Sequence, residues 1–336
     1  MKALLFVLLL ALAGGFSAPA AGAPAPTMRF EHLSVEDGLA QESVLAMAQD
    51  SDGFMWFGTQ NGLSRFDGYR FVNFRNAVGD PNTLASNWIR VLHVDPQGRL
   101  WIGTDGGLAR YDAATQGFQQ FLPEEPARRG NGNRHVRAII DDGKGGLWLG
   151  TGDGLQHFDI ASGRFTTWHH VLGDPDGLAS DDINALALDR SGLLWIGSTA
   201  GVDSFDPKLR RFEHHPGARS SADNVVNALL VDAANTLWID SLGGVERMAL
   251  AGPEVGRRQR LGAEHGIRHV WISALYQDAQ GQVWVGAHDE GLYRWDAPRA
   301  RFEVHRQVVA DSHSLADNHI AALYRDRVGT FWVGTW

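Results

Sequence analysis

A chain of 336 residues, 44% hydrophobic and 21% charged, has the composition of a folded protein, so a disordered or fibrous chain is excluded. A formal net charge of −9 leaves no concentrated basic face for nucleic acid. The absence of cysteine excludes disulfides, a thiol nucleophile, a lipoprotein anchor and a cysteine-based metal site.

The first segment, "MKALLFVLLLALAGGFSAPAAGAPAPT", has the layout of a secretory signal over residues 1–22. Lys2 supplies the positive start, Ala3 to Ala13 the apolar run, and Ala18-Pro19-Ala20 a small-residue cleavage site. The apolar run is too short to span roughly 30 Å of hydrocarbon, so cleavage after Ala20 to Gly22 is expected rather than anchoring. An exported chain without cysteine suits a bacterial periplasm. Next comes "MRFEHL" at 28–33, which has the pattern of an outer strand although it precedes the first repeat.

From there one phrase recurs. It reads "GFMWFGTQNGLSRFD" at 53–67, "GRLWIGTDGGLARYD" at 98–112 and "GGLWLGTGDGLQHFD" at 145–159. Its tryptophans are Trp56, Trp101, Trp148, Trp195, Trp238, Trp284 and Trp332, at spacings of 45, 47, 47, 43, 46 and 48. Six residues before each stands an aspartate: Asp50, Asp95, Asp142, Asp189, Asp232, Asp278 and Asp326. Three before each stands Gly53, Gly98, Gly145, Gly192, Asn235, Gly281 or Gly329. Glycine and asparagine are the residues that accept positive φ, so Asp-x-x-Gly predicts a hairpin turn.

An alternating run precedes each turn, as in "SVLAMAQD" and "VVNALLVD", and predicts a buried first strand. The tryptophan phrase is the second strand. Thr-x-x-Gly-Leu turns into a third, and a fourth carries alternating aromatics such as Phe71/Phe74, Phe118/Phe121 and Phe165/Trp168. Such a sheet cannot bury both faces alone, whereas copies stacked about an axis can. The expected fold is all-β over residues 28–336: a seven-bladed β-propeller of four-stranded antiparallel blades. The tryptophans plug the joints between blades, and the glycine after each lets strands approach. The seventh unit reaches only "FWVGTW", so its blade reads as truncated, with 28–33 as its outer strand.

"GLAQESVLAMAQDSDGFMWFGTQNGLSRFDGYRF", residues 38–71, resembles the two-component-regulator propeller repeat of bacterial periplasmic sensors. Neither the Gly-His and Trp-Asp pairs of WD repeats nor the double glycine of kelch repeats recurs at one place from repeat to repeat. The resemblance implies a sensor input domain, with a membrane helix and a histidine kinase or diguanylate cyclase beyond Trp336. It also implies signalling as a homodimer.

No catalytic signature stands in the chain. "GAHDEG" at 286–291 and "GTGDG" at 150–154 read as turns, because a phosphate cradle needs a helix after its glycines. The pairs His169-His170 and His214-His215 follow fourth strands, where adjacent side chains point to opposite faces, so neither pair chelates one ion. No metal and no cofactor is expected. The stretch 124–134 and the longer 252–266 read as irregular insertions.

The informative position is one where the repeats disagree. Thirteen residues before each tryptophan stand Ser43, Trp88, His135, Asp182, Val225, Trp271 and His319, while the next position is always Val or Ile. This is the mouth of the strand that lines the axis. Trp88, His135, Asp182, Trp271 and His319 therefore form a candidate ligand rim, with Asn61, Asp105, Asp153 and His288 on adjoining turns. Aromatic platforms and polar groups suit a small-molecule or oligosaccharide signal. Two other classes compete: a secreted propeller lyase or hydrolase using His135, His319 and Asp182 as acid and base, and a protein-interaction scaffold.

Overall fold

The aspartate of each repeat builds the turn, and in six of the seven it binds the tryptophan as well. In the first repeat, Asp50 Oδ1 accepts the backbone N–H groups of Asp52 and Phe54, both at 3.0 Å. Its Oδ2 accepts the indole N–H of Trp56 at 2.7 Å. The indole bond recurs from Trp101 to Asp95, Trp195 to Asp189, Trp238 to Asp232, Trp284 to Asp278 and Trp332 to Asp326, between 2.8 and 3.2 Å. In the third repeat His157 takes that place, 2.8 Å from Asp142 Oδ2, and its ring lies 4.6 Å from that of Trp148. The turn glycines have positive φ throughout, and Asn235 adopts the same conformation at +59°.

The computed structural model describes residues 28–124, 128, 132–215, 224–241, 244–268 and 271–336. The predicted signal segment 1–22 lies outside the described residues, as does part of the 124–134 insertion. Among the described residues are six four-stranded sheets and one two-stranded sheet, every pair antiparallel and each sheet ordered as its strands run in sequence. Sheet one comprises Val44–Gln49, Met55–Thr59, Gly62–Phe66 and Phe71–Phe74. This is a β-propeller. The first strands of consecutive sheets adjoin all the way round, the seventh meeting the first. At that closure Trp332 packs 5.4 Å from Phe57, and the hydroxyl of Tyr324 accepts the Gln49 N–H at 3.1 Å.

The second glycine of the repeated phrase sets how tightly sheets stack. A Cβ at Gly58 would stand 2.5 Å from the Ile89 side chain of the next sheet, and one at Gly197 would stand 2.6 Å from Val226. Any larger residue there pushes two sheets apart. Sheet five breaks the rule with Asp240, which is fully buried. Its first strand is Leu229–Val231, shorter than "VVNALLVD" predicts.

The first strand opens with a register irregularity in six sheets, between Val44 and Ala46, Ile89 and Val91, Val136 and Ala138, Ile183 and Ala185, Ile272 and Ala274, and Ile320 and Ala322. One residue per sheet is left out of the ladder by this bulge.

Two expectations are corrected. Stretch 252–266 is no single irregular insertion: Arg258–Leu261 is the fourth strand of sheet five, and its Arg-Gln-Arg-Leu lacks the alternating aromatics that mark the others. Residues 28–33 do lie beside the seventh unit, where the Phe30 N–H donates to the His313 carbonyl at 2.9 Å and His32 Nε2 lies 2.9 Å from the Ser314 carbonyl. They form no strand, because a fourth strand pairs with a third and sheet seven consists of Ile320–Arg325 and Phe331–Thr335 alone among the described residues.

Two outcomes follow. Trp148 is buried against Leu155, Leu178, Leu194 and Phe205, so Trp148→Ala should cost about 3–5 kcal/mol in chemical denaturation. An unchanged midpoint would mean that the joint between sheets three and four does not depend on it. Burial holds the Asp240 carboxyl well above the usual carboxylate range, against weaker opposing hydrogen bonds from Asn227 and the Ile272 amide. Its proton is bound more tightly in the folded chain, so its stabilisation is full below the ordinary carboxylate pKa and is lost as pH rises through the raised one. Asp240→Gly should therefore raise the melting temperature at about pH 8 and lose that advantage near about pH 4. A difference independent of pH would show that the carboxyl does not titrate between the two states.

Candidate functional site

The rim residues are held by one recurring bond. In four sheets the residue four places after the tryptophan donates its backbone N–H to the rim residue: Asp105 to the Trp88 carbonyl, Thr199 to Asp182, His288 to Trp271 and Trp336 to His319, between 2.8 and 3.2 Å, whereas in sheet three the Gly152 N–H goes to the Gly132 carbonyl instead. Threonine shapes the turn that allows it. Thr104 Oγ1 donates to the Gly107 carbonyl and accepts the Gly106 N–H, and Thr59, Thr151 and Ser198 repeat the pattern. In these four sheets the rim residue is thus tied to the turn by the backbone.

Two arcs result. On sheets six and seven, Trp271 is 53% exposed and stacks on His288, with ring centres 5.2 Å apart and planes 17° apart. His288 meets His319 edge-on at 4.3 Å, and a single backbone bridge joins these two residues. Asp289 lies 2.6 Å from His319 Nε2 and 3.5 Å from His288 Nδ1, and Asp317 lies 3.2 Å from His319 Nδ1. Asp289 is held at φ +144°, a conformation that L residues rarely adopt. Trp336 closes the group, 6.3 Å from the His288 ring. Imidazoles and carboxylates here can accept and donate hydrogen bonds beside an apolar platform.

The second arc, on sheets two to four, is charged. Asp105 receives both Arg90 Nε and Nη2, at 2.8 and 3.0 Å, and the Arg90 guanidinium lies 4.7 Å over the Trp88 ring. Arg137 donates to Asp182 at 3.2 Å and to Asn184 at 3.1 Å, crossing from sheet three to sheet four. Arg90, Arg137 and Asn184 are the residues left out of the ladder by the bulge. They are absent from the predicted set, yet two residues beyond the rim position the repeats disagree just as strongly: Leu45, Arg90, Arg137, Asn184, Asn227, Ser273 and Ala321. That variation was the signal.

The remaining predicted residues divide. Ser43 is buried and bonded to Gln41, while His135 is half-buried and its N–H donates to the Gly132 carbonyl. Asn61 is exposed on its turn and makes no bond to another rim residue. Asp153 does not face the opening at all: it is 1% exposed and meets His169 and Asp181. A separate cleft of about 600 Å³ runs beside Phe331, Trp332 and Val333, lined by Phe57 and Phe71 of sheet one and by polar residues including Glu31, Glu42 and Thr330. It belongs to the seam between sheets seven and one.

Comparison with known proteins agrees with this geometry. Residues 38–61, 83–106, 177–200, 266–289 and 314–336 match the family described as two component regulator propeller. The fold is similar to the extracellular domain assigned to the hybrid two component system BT3049 of B. thetaiotaomicron, with a TM-score of 0.78 and 26% identity, covering 92% of this chain and 41% of that one. A 56-residue stretch is 39% identical to histidine kinase P4 of Formosa agariphila, spanning 17% of this chain and 4% of the kinase. Virginiamycin B lyase of Staphylococcus aureus shares the fold alone, with a TM-score of 0.65 at 11% identity over 88% of this chain and 92% of the lyase. The chain thus spans less than half the length of the two signalling proteins.

The arcs differ in how much the fold depends on them. Trp88 is half-buried with its indole nitrogen enclosed and unpartnered, whereas Trp271 stands in solvent. Trp271→Ala should leave the melting temperature within about 1 °C, and Trp88→Ala should lower it by several times that. Equal losses in thermal melts would make Trp271 a packing residue.

Proposed function

Because the chain carries two component regulator propeller repeats, we propose that it is the periplasmic, ligand-sensing input domain of a transmembrane receptor. The observation that carries this reading is the likeness to the BT3049 extracellular domain over nearly all of this chain. The stretch shared with histidine kinase P4 supports a kinase as the output, encoded beyond Trp336, and a diguanylate cyclase is the alternative output. In the full-length receptor this domain works as a homodimer.

The rim reads the signal. Positions that only pack repeat one residue type from sheet to sheet, because each sheet meets the same neighbour. An asymmetric ligand requires the opposite, and the rim supplies it with an aromatic and imidazole arc facing a charged one. An oligosaccharide fits best: a sugar face stacks on Trp271, and its hydroxyls exchange hydrogen bonds with His319, Asp289 and the Arg137–Asp182 pair.

One observation favours catalysis as the second reading. Asp289 and His319 stand 2.6 Å apart beside His288, a spacing at which a carboxylate orients an imidazole base. Titration with an oligosaccharide panel separates the two. Trp271→Ala and His319→Ala should each weaken binding by about tenfold or more, with the bound sugar recovered intact. Unchanged affinity in both variants, or new reducing ends or unsaturated products during incubation, would replace the receptor reading.

A further inference from the structure

Beside the rim, three side chains converge that ligand binding there does not use. Asp153 stands in the turn between the second and third strands of sheet three. His169 directly follows that sheet's fourth strand, Arg164–Trp168, and Asp181 lies in the connection to sheet four. A carboxylate oxygen from each aspartate and a ring nitrogen of His169 lie within 4.8 Å of one another. The backbone fixes this meeting, since the Gly154 N–H donates to the Asp181 carbonyl at 2.7 Å. Gly154 also lets the turn press on the strand end, where an added Cβ would stand 2.2 Å from the Trp168 carbonyl oxygen.

Two of the converging groups have an atom with nothing to bind. Asp153 is 1% exposed; its Oδ2 accepts the Arg128 N–H at 2.8 Å, but its Oδ1 is enclosed without a hydrogen-bond partner. His169 Nδ1 is likewise enclosed and unpartnered. Its nearest acceptor, Asp181 Oδ1, is 3.8 Å away and already accepts the His170 N–H at 2.6 Å. A buried polar atom without a partner costs about 1–3 kcal/mol, and here two occur side by side. His170 turns away, its Nδ1 lying 2.6 Å from the Leu178 carbonyl, so the pair of adjacent histidines divides between two tasks.

We propose that Asp153, His169 and Asp181 form a binding site for one divalent transition cation. Two carboxylates and one neutral imidazole balance a doubly charged ion, and a single ion satisfies both orphaned atoms at once. The mixed nitrogen and oxygen set suits Zn²⁺ or Mn²⁺ and is unlike the all-oxygen shells of Ca²⁺. Donors around a tetrahedral Zn²⁺ at about 2.1 Å stand about 3.4 Å apart, so the three close by about 1 Å on binding, and water takes the fourth position. The ion would join the turn of sheet three to the connector that leads directly into Asp182.

The chain is stripped with chelator, exchanged into metal-free buffer and titrated with ZnCl₂ and with MnCl₂ by calorimetry and thermal melts. One ion per chain should bind, raising the melting temperature by about 3 °C at saturation. Asp153→Asn and His169→Gln should each weaken binding by on the order of 100-fold, and His319→Ala, which disrupts the rim cluster, should retain it. The site is overturned if neither metal binds, or if His169→Gln binds as tightly as the parent chain. It is equally overturned if His319→Ala alone abolishes binding. Because oligosaccharide titration of the rim uses other residues, failure of one reading leaves the other intact.

Discussion

In six of the seven repeats the anchor indole gives its N–H to the carboxylate that also holds the preceding turn. That double use links the turn and the plug rigidly across six residues of sequence. Trp56 and Trp101 are completely enclosed, so an unmet N–H at either would weaken a joint between sheets. Because the bond is local, each sheet carries its own supply of it, and the ring needs no long-range polar contact to seat its largest side chains. Sheet three shows that the requirement falls on the carboxylate too: where Trp148 does not take Asp142 Oδ2, His157 does.

The architecture was legible because it repeats. Asn235, standing where six repeats have glycine, pointed to a positive φ before any coordinates, and its φ of +59° agrees. What the sequence hid is what depends on a neighbour. The fourth strand of sheet five carries no aromatic signature, so only its pairing with Gly244–Ala249 reveals it. The shared role of aspartate and tryptophan was hidden differently, for spacing shows that two residues travel together and not that they touch. Of the candidate rim, the structure joins Trp271, His288 and His319 in one group, pairs Trp88 with Asp105 through Arg90, and removes Asp153 to another place. Arg90 and Arg137 were missed because a strict alternation assigns their faces wrongly once a bulge intervenes.

Invariant packing positions and variable positions therefore alternate along a single strand. Val44, Ile89, Ile183 and their equivalents fill the joints and are almost invariant from sheet to sheet, while the residues on either side of them vary freely. In the charged arc Arg90 is laid over Trp88. The aromatic arc sits beside the seam where sheet seven meets sheet one, and its Trp271 contributes little to the core.

The bulge at the head of each first strand has an evolutionary consequence. A residue outside the ladder can be exchanged without breaking a ladder bond, and six sheets offer such a place, although Arg137, Asn184 and Ser273 each use theirs to bond the next sheet. The side chains at the mouth can then change one blade at a time while the ladders stay intact. The ring behaves as a combinatorial lock whose tumblers are cut separately, so descendants sharing this frame can come to present unrelated chemistry at its mouth.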